Sequence, residues 1–263
     1  MRIVSVNAWG GARYDDLMAW LPEAGADVLC LQEVTRTPGR TGWTHFSDAE
    51  RALPQRADLF HDVRAALPGH QSFFLVSDSG PVHVDGEPYR QDFGVATLVA
   101  EHFPVVGVDS EYVHGQFTAH EQWPSTHRPR NALAVRVADP ATGRALCVVQ
   151  AHGLRDSQGK GDSPVRREQA RKLAELTRRV ARPGDLTVLC GDLNLLPTSE
   201  TFTILAEAGL TDLVGASDTR TSSYPRPVRH GSYLLISDPS AVKHFEIPPS
   251  PEVSDHRPLI LDI

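Results

Sequence analysis

Short apolar runs rich in β-branched residues, each bounded by Gly, Pro or Asp, recur along this chain and predict strands. They cover Ile3–Asn7, Asp27–Gln32, Ser72–Val76, Gly94–Val99, Ala132–Val137, Leu146–Ala151, Leu186–Cys190, Tyr233–Ser237 and Pro258–Asp262. "ADPATGRA", between two of these runs, reads as a hairpin connection. Helical spacing appears in between. Tyr14–Leu21 places Leu17, Trp20 and Leu21 together and stops at Pro22, and Leu59–Leu67 places Phe60, Val63 and Leu67 together and stops at Pro68-Gly69. The clearest helix starts at Ser163 with Pro164 in the favoured first position, and aligns Val165, Leu173, Leu176 and Val180. Its arginines read as a solvated face, with the first turn in reach of a phosphate. Ser199–Ala208 is a fourth helix. The stretches 35–57, 77–92 and 110–130 read as long irregular loops, which in a compact domain are often functional.

Strands and helices mix without strict βαβ alternation, which argues against a simple doubly wound sheet. Two sheets packed face to face with helices outside suit this many strands better. No repeat, low-complexity tract or long linker divides the 263 residues, so 1–263 reads as a single domain.

Several strand runs end on polar residues. Asn7 ends "RIVSVN", Glu33 ends "ADVLCLQE" and His152 ends "LCVVQAH"; Asp192 and Asn194 follow "LTVLCG", and Asp255 and His256 head "SDHRPLILDI". Taken singly, each has a bland explanation: Asn and Asp form turns, Glu is solvated and His is structural. Taken together they form a chemical set. Asn7, Glu33 and Asp255 supply the hard oxygens that Mg²⁺ prefers, with Mn²⁺ as an alternative ion. Asp192 and Asn194 are placed to orient or deprotonate a water, and His152 and His256 to donate to a phosphoryl oxygen. A water positioned against a metal-bound phosphate is the core of phosphoester hydrolysis.

Charge narrows the ligand. The formal net charge of −7 argues against a broad basic surface for nucleic acid, while allowing a local basic groove. The expected partner is therefore a phosphorylated small molecule or a short nucleic acid. No apolar run approaches the ~20 residues of a membrane helix. The N-terminal "MRIVSVNAWGG" turns polar at Asn7 and reads as a first strand rather than a signal peptide. Cys30, Cys147 and Cys190 each sit in an apolar run without zinc or redox spacing. Buried thiols in a reducing, cytoplasmic compartment are the expectation. A hydrolase with a protein nucleophile is disfavoured, because no GxSxG elbow is present.

"VNAWGG", "LCLQEV", "QAHGL", "CGDLNLLP" and "VSDHRPL", in that order across the whole chain, resemble the endonuclease/exonuclease/phosphatase superfamily. The resemblance implies an α/β four-layer sandwich, two packed mixed β-sheets flanked by helices, with the site at one edge of both sheets. It also implies roles: Glu33 as principal metal ligand with Asn7 and Asp255 nearby, Asp192 and Asn194 positioning the attacking water, His152 on the phosphate, and His256 on the phosphate or as general base. One position departs. The family usually has an Asp, in a strand of the form "IDYIF", that bonds the last His; here "RHGSYLLIS" has Ser232. A hydroxyl orients a ring but gives much less electrostatic help than a carboxylate. Asp238 lies in "SDPS", which reads as a turn and not as a substitute. A weakened enzyme or a non-enzymatic phosphate-ligand binder on the same fold thus stands as the alternative to normal catalysis.

Arg128, Arg130 and Asn131 in "HRPRNAL", with Arg155 and Lys160 in "GLRDSQGKGD", are candidate phosphate-side groups, or else exposed loop charges. Thr221, Ser222 and Tyr224 in "TRTSSYPRP" read as cleft lining or as ordinary loop. Trp43, Tyr89, Trp123 and Tyr224 read as stacking platforms for bases or as caps on the core.

Overall fold

The structure, a computed structural model, describes residues 1–84 and 86–263. Its strands, numbered in chain order, form two mixed sheets. The larger runs β14 (His244–Glu246), β15 (Leu259–Asp262), β1 (Arg2–Asn7), β2 (Val28–Arg36), β6 (Glu87–Ala100), β5 (His70–Val84), β3 (Trp43–Ser47) and β4 (Ala52–Arg56), with β8 (Thr118–Ala119) also on β5. The smaller runs β12 (Thr211–Asp212), β13 (Ser232–Ile236), β11 (Leu186–Asp192), β10 (Ala145–His152), β9 (Arg130–Ala138) and β7 (Val105–His114). The helices are α1 (Tyr14–Glu23), α2 (Leu59–Ala66), α3 (Pro164–Val180) and α4 (Glu200–Glu207).

Strand alternation explains the layering. In β1 and β2, Val4, Val6, Leu29 and Leu31 face outward and pack with Leu17, Trp20, Leu21, Leu59 and Val63 of α1 and α2. Ile3, Val28 and Cys30 face inward and join Val149, Leu189 and Leu235 of the smaller sheet. Leu173, Leu176 and Val180 of α3, with Leu205 of α4, cover the other side of that sheet. Both faces of the central strands are covered, so their sequences read as continuous apolar runs. Each buried Leu or Val contributes about 1.5–3 kcal/mol. The result is the four-layer sandwich that the sequence predicts.

Between the sheets runs a buried polar ladder: Gln32 Nε2 donates to Gln150 Oε1 at 3.0 Å, and Gln150 Nε2 to Thr97 Oγ1 at 2.6 Å. The cysteines are buried and free. Among the described residues, no helix is long and apolar enough to cross a membrane.

Of the three expected loops, 35–57 and 77–92 turn out to be largely strand, whereas 110–130 is mostly irregular as expected. Within 35–57, β3 and β4 form an antiparallel hairpin at the sheet edge, paired from Trp43↔Arg56 to Ser47↔Ala52. Its inward positions include polar Thr44 and Gln55 and its edge strand carries Pro54, so the apolar signal is weak. The stretch 77–92 extends the β5–β6 hairpin as far as Val84↔Glu87; Asp85, within it, lies outside the described residues. The stretch 110–130 contains the end of β7 and all of β8. Helix α1 also passes Pro22 and ends at Glu23. Helix α3 begins as predicted, with Ser163 accepting from Arg166 N at 3.3 Å.

Candidate active site

Sheet register brings the strand-end residues side by side. His152 at the end of β10 pairs with Asp192 at the end of parallel β11, and Asp192 pairs with Ser232 at the start of β13. Asn7 at the end of β1 pairs with Gln32 of β2. A bulge between Leu31 and Val34 then interrupts β2, and Glu33 adopts φ 54°. A bulge re-aims a side chain, and positive φ costs a non-glycine residue energy that the surrounding structure must hold. Trp9 (φ 51°) and Asn194 (φ 55°) share this conformation, and all three residues line one cleft. Gly191 has φ 135°, and a Cβ there would lie 2.0 Å from Ala151 O. Only glycine lets β11 approach β10 this closely just before Asp192.

The cleft has a volume of about 520 Å³, a small-molecule size. At its floor, one ligand atom each from Glu33, His152 and Asp192 lie within 4.8 Å of one another. His152 Nε2 is 3.7 Å from Glu33 Oε1 and 3.9 Å from Asp192 Oδ2, beyond hydrogen-bond range. The Asp192 carboxylate is crowded by donors. Asn7 Nδ2 reaches Oδ2 at 3.1 Å, Asn194 N reaches Oδ1 at 3.1 Å, and His256 Nε2 lies 3.2 Å from Oδ2. Asn7 Oδ1 accepts from Trp9 N at 2.9 Å. Asp255 Oδ2 accepts from Arg220 Nη1 at 2.8 Å. Ser232 Oγ and His256 Nδ1 share a 2.7 Å hydrogen bond, so the hydroxyl does hold the ring.

Electrostatics sorts these groups. Burial alone would raise the Asp192 carboxyl, but His256, Arg220 and His152 outweigh it and hold it well below the usual carboxylate range. Burial, reinforced by Arg130, pushes His152 well below the ordinary imidazole value, leaving a neutral ring at neutral pH. Burial raises the Asp255 carboxyl against the pull of His256 and Arg220. Burial also brings the Lys160 ammonium down to about 8.

The donor set fits a metal ion. Glu33 offers hard carboxylate oxygens within 4.8 Å of Asp192 and His152, which flank the position an ion would take. Among the described residues, no hydrogen-bond donor engages the Glu33 carboxylate, so its lone pairs remain available to a cation. Asn7 and Asp255 lie within one residue's reach of the same floor, through Asp192 and His256 respectively.

The other sequence candidates divide. Arg128 lines the cleft but is buried, and its Nε and Nη2 are committed to Asp78 at 2.7 and 2.9 Å. Its burial corrects the alternative expectation of an exposed loop charge. Arg130 lines the cleft, buried, with Nε on Gly153 O at 3.0 Å and its guanidinium lowered to about 10 by burial and Arg128. Arg155 and Lys160 line it too. Asn131 stands apart from the cleft, its Nδ2 directed to Leu75 O at 3.5 Å. Thr221 bonds Ser254 O and Ser222 bonds Glu252, so of that loop trio only Tyr224 lines the cleft. Trp43 and Tyr89 lie off the cleft lining, and Trp123 packs on Phe46 and Phe93. Asp238 caps a turn through Ser240 N, as its sequence context suggested.

Residues not singled out from sequence matter as much. Arg220 is buried, pairs with Asp255 and lies 4.0 Å over the Tyr224 ring. Arg166, expected on a solvated helix face, is buried and holds the 154–161 loop through Leu154 O, Gly159 O and Gly161 O. Eight lining residues are Lys or Arg and five are Asp or Glu, so the cleft reverses the sign of the whole molecule.

Comparison with known proteins agrees with this layout. No curated protein matches the chain in sequence. Among solved structures, an endonuclease/exonuclease/phosphatase from Bacteroides vulgatus superposes with TM-score 0.68 at 18% identity, covering 99% of this chain and 97% of its own. The mannosyl-6-phosphatase of Bacteroides thetaiotaomicron gives TM-score 0.68 at 16% identity, covering 100% of this chain and 98% of its own. D. rerio TDP2 complexed with a single-strand DNA product gives 0.64 at 16%, covering 99% and 97%. At these identities the likeness is one of fold. The sequence model of the Endonuclease/Exonuclease/phosphatase family, however, matches residues 4–256, nearly the full length, and the chain belongs to that family.

Proposed function

We propose that the protein is a Mg²⁺-dependent phosphoesterase, with Mn²⁺ as an alternative ion, that hydrolyses a phosphomonoester or phosphodiester by attack of an activated water. One observation carries the reading: Glu33, His152 and Asp192, from three strands of two sheets, converge within 4.8 Å beneath a cation-rich cleft. The named activities of the structural neighbours, a sugar phosphatase and a protein holding a DNA product, lend support from both sides of the substrate question.

In this reading Glu33 holds the ion, with Asn7 and Asp255 beside it. When bound, the ion supplies Lewis acidity toward the phosphoryl oxygen. Asp192, ionised and fixed by Asn7 and by the backbone of Asn194, orients the water and accepts its proton. His152, neutral, donates to a phosphoryl oxygen. His256 faces the same Asp192 oxygen and relays the proton. Arg130 and Arg155 meet the substrate's remaining charge, and Asn194 steadies the loop through Gly153 O.

The test uses a generic phosphodiester and a generic phosphomonoester, with Mg²⁺ or with EDTA. We expect hydrolysis of at least one, abolished by EDTA, and kcat/KM lowered at least about a hundredfold by Glu33→Ala or Asp192→Ala. Turnover indifferent to both EDTA and the substitutions would sink the proposal.

A second reading, a phosphate-ligand binder without turnover, is favoured by Ser232 at 2.7 Å from His256 Nδ1, where a carboxylate would stabilise a charged ring. Ser232→Asp separates the two. The enzyme reading expects an active wild type whose rate changes by less than about tenfold, because Asp192 already faces the ring's other nitrogen. A silent wild type awakened by the substitution would establish the binder.

A further inference from the structure

We infer that the rim of the cleft holds a second phosphate subsite, built by Arg155 and Arg226 around Glu50, and that the preferred substrate is a compact molecule carrying two phosphate groups. The inference rests on the phosphoesterase reading for what happens to the first phosphate. Three chain segments, far apart in sequence, meet at this rim: the turn at 48–51, the loop after β10 and the loop before β13. Arg155 Nη2 lies 2.6 Å from Glu50 Oε2, and Arg226 Nη2 lies 3.5 Å from the same oxygen. Arg51 lines the same rim, but Asp48 takes its charge at 2.8 Å. Two guanidinium groups therefore share one carboxylate, leaving a net positive charge. Arg155 Nη1 is buried and, among the described residues, has no hydrogen-bond partner. A buried donor without an acceptor is costly, and it marks where an acceptor belongs.

Glu50 behaves as a stand-in anion. Its side chain is 43% exposed, so rotation into solvent is open to it, whereas the Arg155 side chain is 19% exposed and stays in place. A phosphate brings more acceptor oxygens than the one Glu50 oxygen now shared, enough for Arg155 Nη1 and Arg226 together. The cleft volume of about 520 Å³ suits a small ligand bridging floor and rim. A neighbouring internucleotide phosphate offers the same chemistry, so the test includes it.

The full chain with Mg²⁺ is assayed on a hexose bisphosphate, the matching hexose monophosphate and a phosphorylated dinucleotide. The same three ligands are titrated calorimetrically into the Asp192→Asn variant, where turnover does not interfere. We expect KM and Kd for the bisphosphate about tenfold below those for the monophosphate, with the dinucleotide no better than the monophosphate. Arg226→Gln, at a side chain 59% exposed and safe for folding, brings the bisphosphate-to-monophosphate ratio toward one, as does Arg155→Gln. Glu50→Gln moves the ratio the other way, by about threefold, because it removes the competing anion. A cluster that merely clasps three loops would suffer from all three substitutions alike. Equal constants for mono- and bisphosphate, or a preference lost in Glu50→Gln, would overturn the inference. Tighter dinucleotide binding that vanishes in Arg226→Gln would overturn the small-molecule assignment. Absence of hydrolysis, with Arg226-dependent bisphosphate selectivity retained in calorimetry, would uphold the subsite and remove the phosphoesterase reading instead.

Discussion

Asp78 shows what a single buried charge demands. It has no exposed surface, and Arg128 grips it at 2.7 and 2.9 Å while His120 Nε2 adds a contact at 3.0 Å. The Arg128 guanidinium is itself sandwiched between Phe93 and Trp123, at 4.2 and 4.4 Å. Burial would raise the Asp78 carboxyl, but Arg128 and His120 reverse that and hold it below the usual range. The sign follows: a depressed native value stabilises the fold above the unfolded-state value of about 4, and that contribution fades as pH falls below it. Urea denaturation of wild type and Asp78→Asn should show the largest stability gap near neutral pH, shrinking below about pH 4. A gap independent of pH would show that Asp78 acts by packing alone. Residues of this kind explain the limits of sequence reading. Asn7, Glu33, His152, Asp192, Asn194, Asp255 and His256 stand out in the sequence because each sits where an apolar run ends or begins, a local signal. Arg220 with Asp255, Arg128 with Asp78 and Glu50 with Arg155 are partners 35, 50 and 105 residues apart, and nothing near either member announces the other.

At the scale of elements, the central strands were legible because both their faces are covered and their apolar runs are unbroken. The β3–β4 edge hairpin was not, since Thr44 and Gln55 fill inward positions and one edge needs no apolar face. The β2 bulge was also hidden: "LCLQEV" gives no sign that Glu33 leaves the regular strand path. The β10–β11 pair is the most demanding contact, because it sets His152 beside Asp192. Gly191→Ala, forced against Ala151 O at 2.0 Å and held at φ 135°, should cost at least about 2 kcal/mol. Thermal melting should show the loss. Activity of the folded fraction should fall as well, since the strand cannot move without carrying Asp192. A fully stable and active variant would mean that the strands separate more freely than their register implies.

For the molecule as a whole, a net charge of −7 and a cleft lined by eight basic residues are compatible because the basic groups are spent locally on acids and cleft walls. Composition alone pointed to the sign of the surface, and only the fold shows where that sign inverts. The way the larger sheet closes has a further consequence. Strand β15 lies beside β1, with Arg2↔Asp262 in register, and Asp255 and His256 immediately precede it. Residues 2–5 and 259–262 are thus joined side by side in the larger sheet, one strand in from its β14 edge. On the ribosome, a nascent chain still short of residues 255–262 has most of its core but neither the final imidazole nor the strand that anchors it. Any chemistry at this cleft that draws on Asp255 or His256 therefore waits for synthesis to pass that point.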